Sequence, residues 1–179
     1  GTTDCTGCDV PMAKCVMLTR RPEGESEPDC PFRELLGSLL YLALATRPDI
    51  AYAVSALARY TSCYTEHHFK CLKRILRYLK KYPNMALTYN NDDKPICYTD
   101  SSFADCKETR RSSGGLIITY NGAPLMWKAY IQKCVTLSSS EAEYVSASIA
   151  VKELIGLMRV GFDLGLVEFK CKVAVYLDN

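Results

Sequence analysis

The sequence predicts a mixed α/β fold in which a small helical segment precedes a mixed β-sheet. Apolar residues recur at helical spacing up to about residue 84, and short β-prone runs replace them from there on. These runs occur in the order strand, strand, strand, helix, strand, and a helical crossover is the usual way to bring a final strand in parallel. We therefore divide the chain into a flexible lead-in (1–30), a helical segment (31–84) and a sheet-containing domain (85–179).

The composition is that of an ordinary globular protein. The chain has 179 residues, 48% hydrophobic and 23% charged, which fits one domain or two small ones. Its net charge is only +2, so any nucleic-acid site would have to be a local patch. No apolar run approaches the roughly 20 residues that span a bilayer, and we expect no membrane partner. The chain starts without Met and stops directly after an apolar run, so we interpret it as a piece of a longer polypeptide.

Ten cysteines are an unusually high number for a chain of this size. Without a secretory signal, the default interpretation is reduced thiols that act as small apolar residues. Cys5 and Cys8 form a CxxC pair, with Cys15 and Cys30 further on. A zinc site would need a second close pair or a nearby His, and neither is present. We therefore assign no metal to these cysteines, and the role of the CxxC pair stays open.

Three helices are expected in the helical segment. A leucine-rich run from about residue 35 to 42 predicts a first helix that is apolar on most sides and buried. The second helix follows a break at residues 46–49. The third begins near Thr65-Glu66 and runs to about Tyr82, where Pro83-Asn84 stops it.

One side of the third predicted helix is a continuous row of cations. The row consists of Lys70, Lys73, Arg74, Arg77, Lys80 and Lys81. Spacings of three and four residues place them on one face. A solvated helix face and a face that contacts nucleic-acid phosphates both explain the pattern. The single sign of charge, with only Glu66 nearby, favours the second interpretation but leaves both open.

From residue 85 the sequence predicts short strands and one long helix. The β-prone segments are Ala86–Tyr89, Ile96–Thr99, Gly114–Tyr120, Pro124–Lys128 with Lys133–Leu137, and Val173–Leu177. Asn121-Gly122 is a strong hairpin turn signal. The residues from Ser138 to Glu141 form a capping-box pattern for a helix that continues to about Met158. The unbroken apolar run at 173–177 is typical of a strand buried on both faces.

Three acidic residues stand at the ends of these elements. Asp100 ends the first sheet strand, Glu143 lies one turn into the helix, and Asp178 ends the last strand. If the first and last strands are parallel neighbours, the three carboxylates converge at one edge. Two such charges ~4 Å apart repel by about 4 kcal/mol at an effective dielectric near 20, so the cluster needs cations. Oxygen-only ligands suit Mg²⁺ or Mn²⁺, and two such ions can activate water against a phosphodiester.

Each acid also has an ordinary structural explanation. Asp100 could cap a turn with Ser101 and Ser102, and Glu143 could interact with the helix dipole. Asp178 could simply end a strand. Spacing alone leaves both the cluster and these separate roles open.

Several motifs resemble one known family. They are Tyr98–Asp105, Arg110–Gly115, Met126–Lys128, Leu137–Tyr144 and Tyr176–Asn179. Together they resemble the ribonuclease H region of copia-type LTR retrotransposon Pol polyproteins. Three upstream motifs resemble the connection between reverse transcriptase and ribonuclease H in the same family: Leu36–Leu42, Thr46–Ile50 and Lys73–Lys80. The resemblance covers residues 31–179, with the motifs in order.

The resemblance implies a ribonuclease H-like sheet and an enzyme that cuts the RNA strand of RNA–DNA hybrids with two Mg²⁺ or Mn²⁺ ions. In the family, acidic residues hold the metal ions. The resemblance assigns the first of these acids to Asp100 and the third to Asp178. The helix acid has two candidates, Glu141 and Glu143. Glu143 is preferred, because the family pattern places the acid directly before the aromatic or Leu residue that starts the apolar stripe of the helix, here Tyr144, while Glu141 fits the capping role. The implied partners are the hybrid and an upstream reverse transcriptase domain. The implied location is intracellular, in cytoplasmic virus-like particles with access to the nucleus.

The chain also departs from the family pattern. Phe103 stands where the family usually has Trp, and Cys106 where it has Gly. A fourth acid lies further downstream in the family, so we expect this domain to be truncated at its C-terminus and the isolated segment to lack full activity. The alternative is a catalytically incomplete or domesticated remnant that binds nucleic acid or acts as a scaffold. An integrase is disfavoured by the Arg-Pro-Asp segment and the Ser-rich helix start.

Overall fold

The computed structural model describes residues 6–13, 16–90, 95–165 and 172–177. The chain forms two compact units, Gly1–Ala86 and Leu87–Asn179. The first contains α1 (Phe32–Ala45), a short 3-10 helix (Pro48–Ile50), α2 (Ala51–Ala58) and α3 (Glu66–Lys81). The second contains β1 (Ile96–Ser102), β2 (Ser113–Tyr120), β3 (Ala123–Ile131), α4 (Ser139–Asp163) and β4 (Ala174–Leu177). Within the described ranges, no helix is both long enough and apolar enough to cross a membrane.

The helical unit has its own hydrophobic core. Its largest fully buried apolar side chains are Phe32, Ile50, Val54, Leu57, Leu72 and Ile75. Helix α1 contributes a single stripe spaced by three and four residues, and Tyr41 and Leu44 on its other sides are 77% and 71% exposed. The expectation that this helix is buried on most sides is therefore wrong, because its neighbours in the unit cover only one face.

Arg47 connects the turn between α1 and α2 to the C-terminal end of α3. Its guanidinium is almost fully buried, binds Asp49 with an Nη2–Oδ2 distance of 2.7 Å, and donates to the backbone oxygen of Tyr82 at 3.0 Å. It also lies over the Tyr78 ring, 5.7 Å from the centroid. The hydrogen bond to Asp49 raises the pKa of Arg47, so the guanidinium stays charged inside the unit.

Helix α3 begins and ends where the sequence predicts. Thr65 is its N-cap, and the backbone N–H of Thr65 donates to Nδ1 of His68 at 3.0 Å in a capping box. The His68 side chain is fully buried, with its ring 4.5 Å from that of Tyr60. Burial, followed by the charge of His67, lowers the pKa of His68 to about 4.

The sheet-containing unit is a four-stranded mixed sheet in the order β3-β2-β1-β4. β1 pairs antiparallel with β2, β2 antiparallel with β3, and β1 parallel with β4. The predicted mixed α/β sheet, an antiparallel meander followed by a crossover helix, is thereby confirmed. The β2–β3 turn uses Asn121 and Gly122, whose φ angles of 52° and 77° fit the predicted hairpin.

Two predicted strand segments are not strands. Around residues 86–89 the backbone is irregular, and Tyr89 and Asn90 instead bond to the β2–β3 hairpin, at Pro124 O (2.9 Å) and Asn121 O (2.7 Å). Lys133–Leu137 is also irregular, because β3 ends at Ile131 and the chain must then turn back to start α4. The side chains there are β-prone, but none of the described strands pairs with them.

Helix α4 packs on one face of this sheet. The core between them contains Cys97, Leu116, Ile118, Ala150 and Leu154. Strand β4, predicted as buried on both faces, is mostly exposed: Tyr176 and Leu177 are 54% and 46% accessible. That prediction is wrong because, among the described strands, β4 forms an edge of the sheet.

Candidate functional site

Asp100 lies on the sheet face opposite to α4. Along β1, Cys97 and Thr99 are buried, whereas Tyr98 and Asp100 are exposed. Because side chains alternate along a strand and Cys97 packs against α4, Asp100 points to the other face. Its Oδ1 accepts a 2.6 Å hydrogen bond from the backbone N–H of Ser101. This contact fixes one carboxylate oxygen.

Glu141 and Glu143 occupy different environments in the first turns of α4. The Oγ of Ser138 accepts from the Glu141 N–H at 3.1 Å, and Glu141 Oε2 accepts from the Leu137 N–H at 2.6 Å. Glu141 therefore has the capping role that the sequence predicts. Glu143 follows the buried Ala142 and is partly exposed. Its assignment as the functional acid stays a prediction.

The two candidate acids in the described ranges carry no compensating cation. Neither Asp100 nor Glu143 forms a salt bridge with a Lys or Arg in these ranges. The predicted third acid, Asp178, lies outside the described residues. The last described pair of the parallel ladder joins Thr99, which precedes Asp100, to Leu177, which precedes Asp178. Among the residues that the structure describes, no three His, Cys, Asp or Glu side chains cluster as metal ligands.

A buried polar network surrounds the start of α4, and the sequence pattern did not predict it. Gln132 is 1% exposed, and its Nε2 donates to Ala142 O at 2.7 Å and to Ser146 Oγ at 3.0 Å. Its backbone N–H donates to Ser112 O at 2.9 Å, and Ser112 Oγ lies 2.8 Å from Thr136 Oγ1. Gln132 ends the strand segment and breaks its apolar pattern, which is the only sequence signal for it.

The cationic face of α3 is partly covered by the N-terminal segment. Lys81 Nζ contacts Asp9 Oδ1, which also accepts from the Tyr82 hydroxyl at 3.2 Å. Arg74 Nε donates to Val10 O at 3.3 Å. The hydrogen bond from Lys81 lowers the pKa of Asp9, and the bond to Asp9 raises that of Lys81. One end of the face therefore already binds an anion from the same unit.

The remaining part of this face is more open. Lys70, Lys73 and Lys80 are exposed, while Arg77 is partly buried. Lys73 Nζ lies 4.6 Å from the centroid of the Phe69 ring. The six predicted binding cations thus share one helix face, but only part of that face is available to a ligand.

Several curated proteins resemble this chain over most of its length. It is 38% identical over 151 residues to the Retrovirus-related Pol polyprotein from transposon TNT 1-94 of Nicotiana tabacum, which covers 83% of the chain. It is 36% identical over 172 residues to the Retrovirus-related Pol polyprotein from transposon RE1 of Arabidopsis thaliana, covering 95% of the chain. The chain belongs to the Pol polyprotein family of copia-type retrotransposons. It spans only 11% and 12% of the length of these two polyproteins.

A third relative of this Pol segment has a different name. The segment is 36% identical over 129 residues to the Secreted RxLR effector protein 161 of Plasmopara viticola, which covers 71% of the chain and 91% of that protein. No family model matches the segment. No solved structure matches it either.

The loop after β1 accommodates the two departures of this Pol segment from the family pattern. Phe103 is 44% exposed, so this position is not part of the buried core. Cys106 is not among the described residues with positive φ, unlike Ala104 and Arg110 at 49° and 55°. The backbone at Cys106 therefore does not require Gly. Hydrogen bonds from Cys106 N to Arg111 O (3.2 Å) and from Arg110 N to Cys106 O (2.7 Å) close the loop.

Proposed function

We propose that this segment is part of a ribonuclease H-like domain that cleaves the RNA strand of RNA–DNA hybrids within its Pol polyprotein. The observation that carries the proposal is the parallel pairing of β1 with β4. Thr99 and Leu177 are register partners, and each directly precedes one of the proposed acids, Asp100 and Asp178. A helix that begins with a capped turn and carries Glu143 connects the meander to β4.

The donor set fits a hard divalent cation. Asp100 and Glu143 offer carboxylate oxygens without a neutralising Lys or Arg in the described ranges, and Asp100 has only one oxygen engaged by the Ser101 N–H. Uncompensated oxygen ligands of this kind favour Mg²⁺ or Mn²⁺ over softer metals. We propose Asp100, Glu143 and Asp178 as the residues that hold two such ions.

When bound, the ions would supply an activated water and stabilise the leaving oxygen of the phosphodiester. The protein's own contribution is placement. The Ser101 N–H orients the carboxylate of Asp100, and the Ser138 cap fixes the first turn of the helix that bears Glu143. Recognition of RNA over DNA would need contacts to the 2′-hydroxyl groups.

We further propose that the cationic face of α3 contacts the phosphate backbone. Lys70 and Lys73 are its exposed members furthest from the Asp9 contact in sequence. The other proposed partner is an upstream reverse transcriptase domain of the same polyprotein. We propose that these partners meet inside the cell, in cytoplasmic virus-like particles with access to the nucleus.

A second candidate function is nucleic-acid binding or scaffolding without turnover. The relative named as a secreted effector favours it. The matched region makes up 91% of that protein, so nearly the whole of that protein corresponds to this segment. In that case the hybrid would be bound while its RNA strand stays intact.

Cleavage of a labelled RNA–DNA hybrid in Mg²⁺ separates the two candidates. The assay uses the Pol polyprotein that contains this segment, with Asp100→Asn as the test variant and Asp163→Asn, an exposed acid at the end of α4, as the matched control. We expect the Asp100→Asn variant to lose cleavage and the Asp163→Asn variant to keep it. Equal cleavage by the parent protein and Asp100→Asn contradicts the catalytic role, and binding without cleavage by both supports the second candidate.

A further inference from the structure

Gln132 links the end of β3 directly to the turn of α4 that carries Glu143. Its Nε2 donates to the backbone oxygen of Ala142, the residue before Glu143, at 2.7 Å, and to Ser146 Oγ at 3.0 Å. The side chain is 1% exposed, so both hydrogen bonds lie in a low-dielectric interior. The two bonds therefore attach the first turns of α4 to the residue that follows β3.

The same residue is tied to the loop that follows the Asp100 strand. The backbone N–H of Gln132 donates to Ser112 O at 2.9 Å. The Oγ of Ser112 in turn accepts from the Ala104 N–H at 3.1 Å, within the loop after β1. Gln132 is therefore bonded directly to the helix turn that precedes Glu143. Through Ser112 it is also connected to the loop that follows Asp100.

Helix α4 also packs closely against the sheet at Gly114 on β2. A Cβ atom on Gly114 would lie 2.6 Å from Cζ of Tyr130 and 2.7 Å from Oγ of Ser146, so no larger residue fits there. Gly114 pairs with Ser101, the neighbour of Asp100 on β1. Helix α4 thus packs closely against β2 at the level of the residue that follows Asp100.

We infer that Gln132 is a positioning residue that sets where Glu143 stands relative to Asp100. The inference rests on the proposed function, since it matters only if both carboxylates bind the same metal centre. Removing the two amide hydrogen bonds would leave the helix intact by its own cap but free its first turn to shift. Partners that orient metal ligands in this way affect metal affinity by about 10- to 100-fold.

Manganese titration followed by NMR tests the inference without relying on activity. Mn²⁺ broadens the amide signals of residues near it, and the signals of Asp100 and Glu143 both report the occupancy of the site. Gln132→Met keeps the side-chain volume but removes the amide donors. We expect the Mn²⁺ concentration that half-broadens the Glu143 and Asp100 signals to rise about tenfold.

The matched control removes a polar contact between β3 and α4 that does not involve Gln132. Lys128 Nζ binds Glu153 Oε1 at 3.1 Å further along the helix, so Lys128→Met should leave both signals unchanged. Ser146→Ala removes one of the two acceptors of the Gln132 amide, together with the acceptor of the Tyr130 hydroxyl at 3.5 Å, and should give a smaller rise at Glu143. It also replaces Gln132→Met if thermal unfolding shows that this variant does not fold.

Each outcome decides one point. An unchanged Glu143 response in folded Gln132→Met, or in Ser146→Ala if the first variant does not fold, overturns the positioning role alone. An equal rise at Glu143 in Lys128→Met also overturns it, because the effect would then be general loosening of the helix. If Mn²⁺ broadens neither signal in the unaltered chain, the proposed metal site itself is wrong.

Discussion

Tyr98 and Tyr176 stack with their ring centroids 5.3 Å apart and their planes inclined by 18°, on the parallel strands β1 and β4. The two residues are register partners on the face that also carries Asp100. Both rings are about half exposed, so their contact is a local tie between the strands rather than part of the main core. It stabilises the one parallel pairing on which the proposed site depends.

Breaking this ring pair should weaken the attachment of β4. Stacked aromatic pairs contribute about 0.5–1.5 kcal/mol beyond their area burial, so we expect Tyr98→Ala and Tyr176→Ala to show a coupling energy of about 1 kcal/mol in urea unfolding. Tyr144→Ala serves as the control, because that ring is 77% exposed on α4. Additive effects of the two strand substitutions would contradict the stabilising role of the stack.

Stability should depend on pH through His68. Its folded-state pKa of about 4 lies below the usual value near 6.5, because burial and then His67 disfavour the charged ring. Between these values the unfolded chain binds the proton more readily, so this contribution is complete above pH 6.5 and is lost as the pH falls towards 4. The full loss is about 3 kcal/mol.

Urea unfolding of His68→Gln between pH 7 and pH 4 measures this contribution. Gln at this position can still accept from the cap residue's N–H in a capping box, yet it does not titrate. The variant should therefore lose less stability on acidification than the unaltered chain. His67→Gln, at an exposed site on the same turn, should largely keep the pH dependence. Parallel pH profiles for His68→Gln and the unaltered chain would refute the assignment.

Removing the guanidinium of Arg47 should destabilise the helical unit strongly. Arg47→Met leaves Asp49 partly buried without its partner and also removes the bond to Tyr82 O. Breaking a buried pair in this way costs about 3–5 kcal/mol. Arg33→Met removes an exposed pair with Glu27 and should cost much less in the same denaturant titration. Similar losses for the two variants would be inconsistent with a buried ion pair at Arg47.

The open part of the cationic face should set the salt dependence of nucleic-acid binding. If Lys70 and Lys73 each contact a phosphate, their replacement by Gln should lower the slope of log affinity against log salt on duplex DNA by about 0.9 each. Fluorescence anisotropy across a salt series measures the slope. Lys152→Gln, an exposed cation on α4, is the control and should leave the slope unchanged. A slope unaffected by either α3 substitution would mean that this face is merely solvated.

The N-terminal segment should limit the binding of nucleic acid to the same face of α3. Asp9 neutralises Lys81 at one end of it, so Asp9→Asn should increase affinity for the duplex and steepen the salt slope. Lower affinity in this variant would indicate that the segment supports binding instead.

The strongest local signals in the sequence predicted structure well. Helix α3 combines a cap, a regular apolar stripe and a terminating Pro83, and its bounds follow the prediction. The Asn121-Gly122 turn fixed the β2–β3 hairpin because few residues other than Gly and Asn accept positive φ. In both cases the information lies within a few residues of the feature.

Predictions failed where tertiary partners decide the outcome. The 86–89 and 133–137 segments are β-prone but pair with none of the described strands, and the exposure of Tyr41 depends on which side of α1 the unit covers. The acids at strand and helix ends were found by position, whereas the link through Gln132 was missed. A single buried amide has no period and no motif, so only its contacts identify it.

The pairing of β1 with β4 has a kinetic consequence. The β2–β3 hairpin closes over two residues, but the parallel ladder joins Ile96 to Ala174 across the whole meander and α4. Contacts between such distant parts of a chain form slowly, because the intervening loop must be ordered first. During synthesis the meander emerges from the ribosome before α4 and β4, so we expect the sheet to assemble in two stages. The edge of β1 that later receives β4 then stays open to competing strands until the last segment arrives.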